Sequence, residues 1–271
     1  MIANVLTIAG TDPTSGAGIQ ADLKTFSALG TYGLTVITAL VAQNTQGVCS
    51  IHEVPEGFIG EQLDAVFDDV EVHAVKIGML SRPEVIEMVA ERLERYGAER
   101  IVVDPVMVAK SGDRLLREDA VNALRRRLLP MATLITPNLP EAGVLLEREP
   151  ARDEAGMIEM ARALRELGPR AALVKGGHLQ GEESIDVIDD GEGVPRVLVA
   201  PRIPTRNTHG TGCTLSSAIA ALLARGHRLP EAVREAKAYL TDALRASDQL
   251  RVGSGHGPVH HFHALWREEG R

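Results

Sequence analysis

The segment Asn207-Thr208-His209-Gly210-Thr211-Gly212-Cys213-Thr214 sets two glycines around a threonine and runs straight into Leu215-Ser216-Ser217-Ala218-Ile219-Ala220-Ala221-Leu222-Leu223, a stretch of helix formers. Glycines let backbone N–H groups converge with no Cβ in the way. A helix start adds unpaired N–H donors and the positive end of a dipole. Gly210, Thr211 and Gly212 with the residues around them are therefore expected to form an anion hole suited to a phosphoryl group in transfer, with Thr208 at its approach. Cys213 stands at the helix start, where a thiol is ordinarily easier to deprotonate, and is expected as the proton acceptor. The competing reading is a glycine turn followed by a small buried cysteine, and spacing alone weighs the two evenly.

Other residues add to this chemistry without deciding it. Gly10-Thr11-Asp12-Pro13-Thr14-Ser15-Gly16-Ala17-Gly18 is a second glycine-rich loop between a strand and a helix pattern. It lacks the Gly-Lys-Ser/Thr ending of a P-loop and the glycine spacing of a dinucleotide fingerprint. It signals close approach of backbone to a ligand or to another element, and a tight turn accounts for it equally well. Asn138 and Glu141 are three apart beside two prolines. Glu141 is a candidate Mg²⁺ ligand of the kind that works through water and phosphate; read alone, Asn138 as a helix cap with Glu141 as its capping-box partner is the stronger reading. Lys175 is one of five lysines beside 24 arginines, follows an apolar strand and precedes two glycines, so its ammonium is placed to reach phosphate oxygens or simply solvent. Gln43 presents an amide donor and acceptor in one plane, complementary to an aminopyrimidine edge or to local backbone. His256, His260, His261 and His263 cluster late in the chain, but no cysteine is near and the segment reads as a helix start rather than a zinc site.

These residues need a scaffold. Strands are expected at residues 5–9, 34–41, 74–77, 101–103, 133–135 and 172–174, each short and apolar without clean alternation, as strands covered on both faces read. Helices are expected at 18–29, 57–68, 83–96, 118–129 and 153–167, then at 213–225, 230–247 and in a shorter segment near the end. Residues 184–188 and 196–201, joined by Asp189-Asp190-Gly191-Glu192-Gly193, read as an antiparallel hairpin at a sheet edge. The alternation implies a single-domain α/β fold over residues 1–271: a mostly parallel sheet with helices on both faces. Ligands bind such sheets beyond the carboxyl ends of the strands. Gly10-Thr11-Asp12, Gln43-Asn44-Thr45, Gly78-Met79, Asp104-Pro105-Val106-Met107, Thr136-Pro137-Asn138 and Lys175-Gly176-Gly177-His178 all fall there, and that clustering is the pattern's main argument for an enzyme. Residues 109–113 are polar and glycine-bearing, as a flap would be.

Composition sets the outer bounds. The 271 residues carry a net charge of −8, which disfavours duplex nucleic acid as a partner. Arg125-Arg126-Arg127 is the local exception and reads as the basic end of a helix that begins with Glu118 and Asp119. Two cysteines exclude a disulfide scaffold and fit a reducing cytoplasm. The amino terminus has no basic segment of the secretory type, and no apolar run reaches membrane-spanning length.

Taken in order, Thr7-Ile8-Ala9-Gly10-Thr11-Asp12-Pro13, Gly16-Ala17-Gly18-Ile19-Gln20-Ala21-Asp22-Leu23-Lys24-Thr25-Phe26, Val36-Ile37-Thr38-Ala39-Leu40, Ala42-Gln43-Asn44-Thr45-Gln46-Gly47-Val48, Asp104-Pro105-Val106-Met107, Thr136-Pro137-Asn138, Lys175-Gly176-Gly177-His178 and His209-Gly210-Thr211-Gly212-Cys213-Thr214 resemble one family across nearly the whole chain. It is the hydroxymethylpyrimidine/phosphomethylpyrimidine kinases of thiamin biosynthesis, in the ribokinase superfamily. The resemblance implies a three-layer ribokinase-like sandwich, ATP and Mg²⁺, a small aminopyrimidine substrate and a homodimer. It places Cys213 where sugar-kinase relatives have an aspartate base. Gln43 falls at the pyrimidine-reading position, with Gly10, Val41, Met79 and Val106 around the pocket. Asn138, Glu141 and Asp104 fall in the Mg²⁺–phosphate region and Lys175 at the ATP phosphates. Thr11 and Thr14, where the family has serine, are mild departures. A pyridoxal kinase of the same superfamily is the nearest alternative.

Overall fold

The computed structural model describes residues 1–107, 118–177 and 179–266. The 109–113 segment and His178 lie outside the described residues. The main sheet contains β1 (Asn4–Ala9), β2 (Tyr32–Ile37), β5 (Ala74–Ile77), β6 (Ile101–Val103), β7 (Leu134–Ile135), β8 (Ala172–Lys175), β9 (Glu183–Asp189) and β10 (Arg196–Pro201). Their spatial order is β10-β9-β8-β7-β6-β5-β1-β2. The pairings from β2 to β8 are parallel, and β9 and β10 are antiparallel, so the hairpin edge expected from the sequence is present. The helices are α1 (Gly18–Ala28), α2 (Glu56–Phe67), α3 (Pro83–Arg95), α4 (Glu118–Ala123), α5 (Leu139–Leu146), α6 (Glu154–Arg165), α7 (Thr211–Ala224) and α8 (Leu229–Arg245).

The strands read as unbroken apolar runs because each residue face has its own core. Leu6 and Ile8 of β1, Val75 and Ile77 of β5, Ile101 and Val103 of β6 and Val174 of β8 pack with α2, α3, α5 and α6. Their neighbours Val5, Ala74, Val102 and Leu173 pack on the opposite face with Phe26 of α1 and with α7 and α8. The period-two alternation is real, but both phases are buried. One consequence matters for the site. Thr7 and Lys76, adjacent in the β1–β5 register, share the phase of Val5 and Ala74 and therefore face α1 and α7.

The expected strand at 34–41 is a correction. The chain breaks at Thr38, whose N–H donates to Ala9 O and whose hydroxyl donates to Met79 O. Beyond it, β3 (Ala39–Asn44) leaves the main sheet and pairs antiparallel with β4 (Gly47–Glu53), a strand absent from the sequence reading. Uninterrupted β-formers hid the break, because it is made by tertiary hydrogen bonds and not by a turn residue. Gln43 thus sits in a strand, next to a bulge between Ala42 and Gln43, instead of in a loop after one. The helix expected at 118–129 is α4 followed by a π-turn at Leu124–Leu128 and a 3-10 turn at Leu129–Met131, where Pro130 prevents continuation. Arg126 and Arg127 pair with Glu87, and Arg127 also with Glu94, as a solvated basic end would. The late histidine segment is a set of turns at residues 261–265 and not a helix start.

Candidate active site

The two glycine-rich loops interlock. Gly210 is the residue before α7 and has φ +78°, in the left-handed region. A Cβ there would lie 1.8 Å from Gly16 O, so only glycine lets the loops touch. Beside this contact His209 Nε2 lies 2.7 Å from Asp12 Oδ2. Asp12 is fully buried and also accepts the N–H groups of Thr14, Gly16 and Ala17. Burial works against its charge, but the hydrogen bonds, led by His209 and followed by Gln43, hold its carboxyl well below the usual range. β3, which carries Gln43, is held to the Asp12 loop by Val41 N–H donating to Thr11 Oγ1 at 3.0 Å.

The N–H groups of Gly210, Gly212 and Cys213 donate to no protein acceptor among the described residues, whereas Thr214 N–H closes the first helical bond to Gly210 O at 2.8 Å. Two strand ends send side chains to this turn. A Cβ on Gly212 would sit 3.3 Å from both Asp104 Oδ2, which follows β6, and Lys175 Nζ, which ends β8. Lys175 donates to Asp104 Oδ1 at 2.9 Å. Asp104, 1% exposed, also accepts from Thr136 at 3.2 Å and Ser216 at 3.4 Å. Burial opposes the Lys175 charge, yet Asp104 and Glu141 overcome it and keep the ammonium charged.

Asn138 and Glu141 form the capping box at the start of α5: Glu141 N–H donates to Asn138 Oδ1 at 2.9 Å, and Asn138 N–H to Glu141 Oε2 at 2.8 Å. The box does not exclude a place at the site. Burial pushes the Glu141 carboxyl up to about 7, Lys175 lowers it and Asp104 raises it again, so the three groups share one field. Two buried carboxylates flanking an ammonium suit Mg²⁺ of the phosphate-borne kind, which needs only one or two protein oxygens. Among the described residues no group of three or more metal-ligating side chains exists that would form a self-sufficient cage.

Gly10, Val41 and Met79 come together as expected: a Cβ on Gly10 would meet Met79 Cε at 2.6 Å and Val41 Cγ2 at 3.7 Å. Ala39, Val41 and Met79 form a small apolar cluster of their own. Val106 follows Asp104 in the β6 loop and lines a small depression with Gly78, Asp104 and Leu124. Thr208 precedes the turn, with Thr211 N–H reaching its carbonyl at 3.5 Å.

The Cys213 expectation is corrected in sign. Burial pushes its thiol up to about 11; Lys76 and the Gly18 N–H pull it down, Asp22 and Asp104 push it up. Desolvation outweighs the helix terminus, so the resting sulfur is a neutral thiol. The sequence reading also missed Asp12 with His209, and Lys76 with Asp22. Lys76 had a legible signal: a lysine inside Ala74-Val75-Lys76-Ile77, an otherwise apolar strand.

The sheet, its antiparallel edge and the amides without a protein acceptor at the start of α7 are those of a ribokinase-like small-molecule kinase. A solved pyridoxal kinase of Bacillus subtilis in complex with ADP superposes with TM-score 0.91, at 37% identity, over 98% of this chain and 100% of that one. The chain belongs to the phosphomethylpyrimidine kinase family, whose model matches residues 12–260. It is 58% identical to the hydroxymethylpyrimidine/phosphomethylpyrimidine kinase of Escherichia coli K12 over 97% of this chain and 98% of that one. The solved phosphomethylpyrimidine kinase of Clostridium difficile 630 is 45% identical, with TM-score 0.79 over 89% of this chain and 99% of that one.

Proposed function

We propose that this chain transfers the γ-phosphoryl group of ATP to the hydroxymethyl oxygen of 4-amino-5-hydroxymethyl-2-methylpyrimidine, then phosphorylates the monophosphate to the diphosphate, in thiamin biosynthesis. The observation that carries the reading is the turn itself: the N–H groups of Gly210, Gly212 and Cys213 have no protein acceptor among the described residues, and Gly212 lies beside Asp104 and Lys175. The amides and Lys175 stabilise charge on the equatorial oxygens of the phosphoryl group. Asp104 and Glu141 would hold Mg²⁺, which when bound neutralises charge on the ATP phosphates. Gln43 reads the pyrimidine edge, and Gly10, Val41, Met79 and Val106 give it an apolar wall. Thr208 and Asn138 border the nucleotide.

Cys213 takes the hydroxyl proton late. Burial pushes its thiol up to about 11, so the acceptor is the thiolate, formed by loss of the thiol proton to solvent, and it takes the alcohol proton once that oxygen is bonding to phosphorus in a loose transition state. A phosphate acceptor in the second step needs no such help. Incubating the protein with ATP, Mg²⁺ and the hydroxymethylpyrimidine tests the reading: mono- and diphosphate are expected in succession, and ATP left intact refutes it. Pyridoxal is the second substrate to assay, because the fold superposes closely on a pyridoxal kinase; the family assignment favours higher turnover on the pyrimidine.

The chain acts as one catalytic unit in the cytoplasm, in keeping with two free cysteines. Among the described residues no helix is long and apolar enough to cross a membrane. It works as a homodimer. Leu40 and Ile51, paired with neighbours across β3 and β4, leave apolar surface exposed that a second copy would cover. Light scattering at micromolar concentration decides this, and a monomer mass rejects it.

A further inference from the structure

Beneath the Gly210–Cys213 turn lies a buried polar node that the phosphoryl chemistry described so far does not use. Lys76 is 0% exposed in β5. Its side chain runs along the sheet past Gly78, where an added Cβ would come within 2.8 Å of Nζ. The ammonium thus emerges at the carboxyl edge of the sheet, on the face toward α1 and α7. It donates to Asp22 Oδ2 at 2.9 Å. Asp22, also 0% exposed, accepts Thr7 Oγ1 of β1 and Ser217 Oγ of α7, each at 2.6 Å.

The node is tied to the sulfur by helix geometry. Residues four apart share a helix face. Ser217 is four after Cys213 on α7, and Asp22 is four after Gly18 on α1. The facing helices are tied by Ser217 and Asp22, which places Gly18 and Cys213 one turn earlier on the same two faces. A fully buried ion pair is seldom a net source of stability, because desolvating both charges consumes most of the Coulomb gain. Asp22 has its charge spread over three donors, while the Lys76 ammonium has three N–H groups and one protein acceptor among the described residues. The asymmetry leaves positive charge on the side of the turn.

We propose that Lys76 is a positioning residue of the reaction centre: held by Asp22, its ammonium is a fixed positive charge under the α7 turn that favours the deprotonated sulfur of Cys213. The charged groups that face this sulfur are Lys76 from β5, Asp22 from α1, Asp104 after β6 and Lys175 from β8, and Lys76 acts on it most strongly among them. The inference rests on the reading of Cys213 as proton acceptor, but its test does not need kinase turnover.

Alkylation of Cys213 by iodoacetamide, in a Cys49→Ser background and without ATP or pyrimidine, is followed by intact mass across about pH 7 to 10, where rate tracks thiolate. Lys76→Met is expected to slow alkylation at pH 8 by about tenfold or more, the effect of one unit on the thiol. Lys76→Arg, which keeps the charge, and Ser217→Ala, which loosens Asp22 without changing charge, stay within about threefold of the parent. Lys76→Met staying within threefold, or Ser217→Ala slowing as much as Lys76→Met, overturns the proposal. If circular dichroism shows Lys76→Met unfolded, the neutral pair Asp22→Asn/Lys76→Met replaces it; alkylation as fast as in the parent then overturns the proposal, and slowing supports it. A parent protein that shows these shifts but phosphorylates nothing would sink the kinase reading and leave the electrostatic one standing.

Discussion

His261 offers a test that can be worked through in numbers. Its ring is 3% exposed, and Nε2 lies 3.1 Å from the hydroxyl of Thr214, the residue after Cys213. Burial, helped by Lys24 and the neighbouring histidines, depresses it from 6.5 to about 3. The folded state therefore holds the ring neutral where the unfolded chain protonates it. Its contribution to stability is complete above pH 6.5 and is lost as pH falls toward 3. The asymptotic slope is about 1.4 kcal/mol per pH unit; allowing for the onset near 6.5, lowering the pH from 6.5 to 4.5 should remove about 2 kcal/mol. His261→Gln keeps a polar partner for Thr214 and abolishes the titration. Urea unfolding of both proteins at several pH values gives the difference curve, in which the opposing contributions of Glu141 and Asp12 cancel. The parent should lose about 2 kcal/mol more than the variant over that interval. Parallel curves would refute the reasoning, because they would mean that the folded protein protonates His261 as readily as the unfolded chain does.

Four further outcomes are expected. Cys213→Ala should reduce kcat for the first phosphorylation by about 10², at the low end for a general base, and the second by less than about tenfold; equal loss in both steps, read from separated mono- and diphosphate, would mean that the sulfur only shapes the turn. Gly210→Ala should lower stability by at least about 2 kcal/mol in a thermal melt and abolish turnover, since a Cβ 1.8 Å from Gly16 O forces two backbones apart. Lys175→Met should lower kcat by about 10² to 10³, the usual cost of one donor to a transition-state anion, with normal turnover as the refuting result. Gln43→Ala should raise KM for the pyrimidine about tenfold and leave KM for ATP unchanged; a shift in the ATP constant would place the amide elsewhere.

Much of the scaffold was readable because it is built from local signals. Apolar strands of both phases, capped helices and the Asp189–Gly193 turn needed no long-range information. The Gly210–Cys213 turn is local as well: its glycines mark a turn at a helix start, while their spacing alone leaves an anion hole and a plain turn equally open. What escaped was made by contacts between distant residues. The break at Thr38 is created by Ala9 and Met79, and β4 exists as a strand because β3 leaves the sheet to meet it. Asp12 needs His209, 197 positions away, to show itself as a held carboxylate. The Cys213 thiol escapes for a related reason: a helix terminus is visible in sequence, but the desolvation of the sulfur by the elements packed around it is not.

The order of the elements along the chain has a cost during synthesis. One face of the main sheet, with Val5, Ala74, Val102, Leu134 and Leu173, is roofed largely by α7 and α8, which leave the ribosome after every strand of the sheet. Until then this apolar surface has only α1 to shelter it, and the loop that ends in Gly18 has no Gly210 to lock against. A chain stopped before residue 210 would be an inert and adhesive fragment, so chaperones should matter most to this protein between the emergence of the last strand and that of α8.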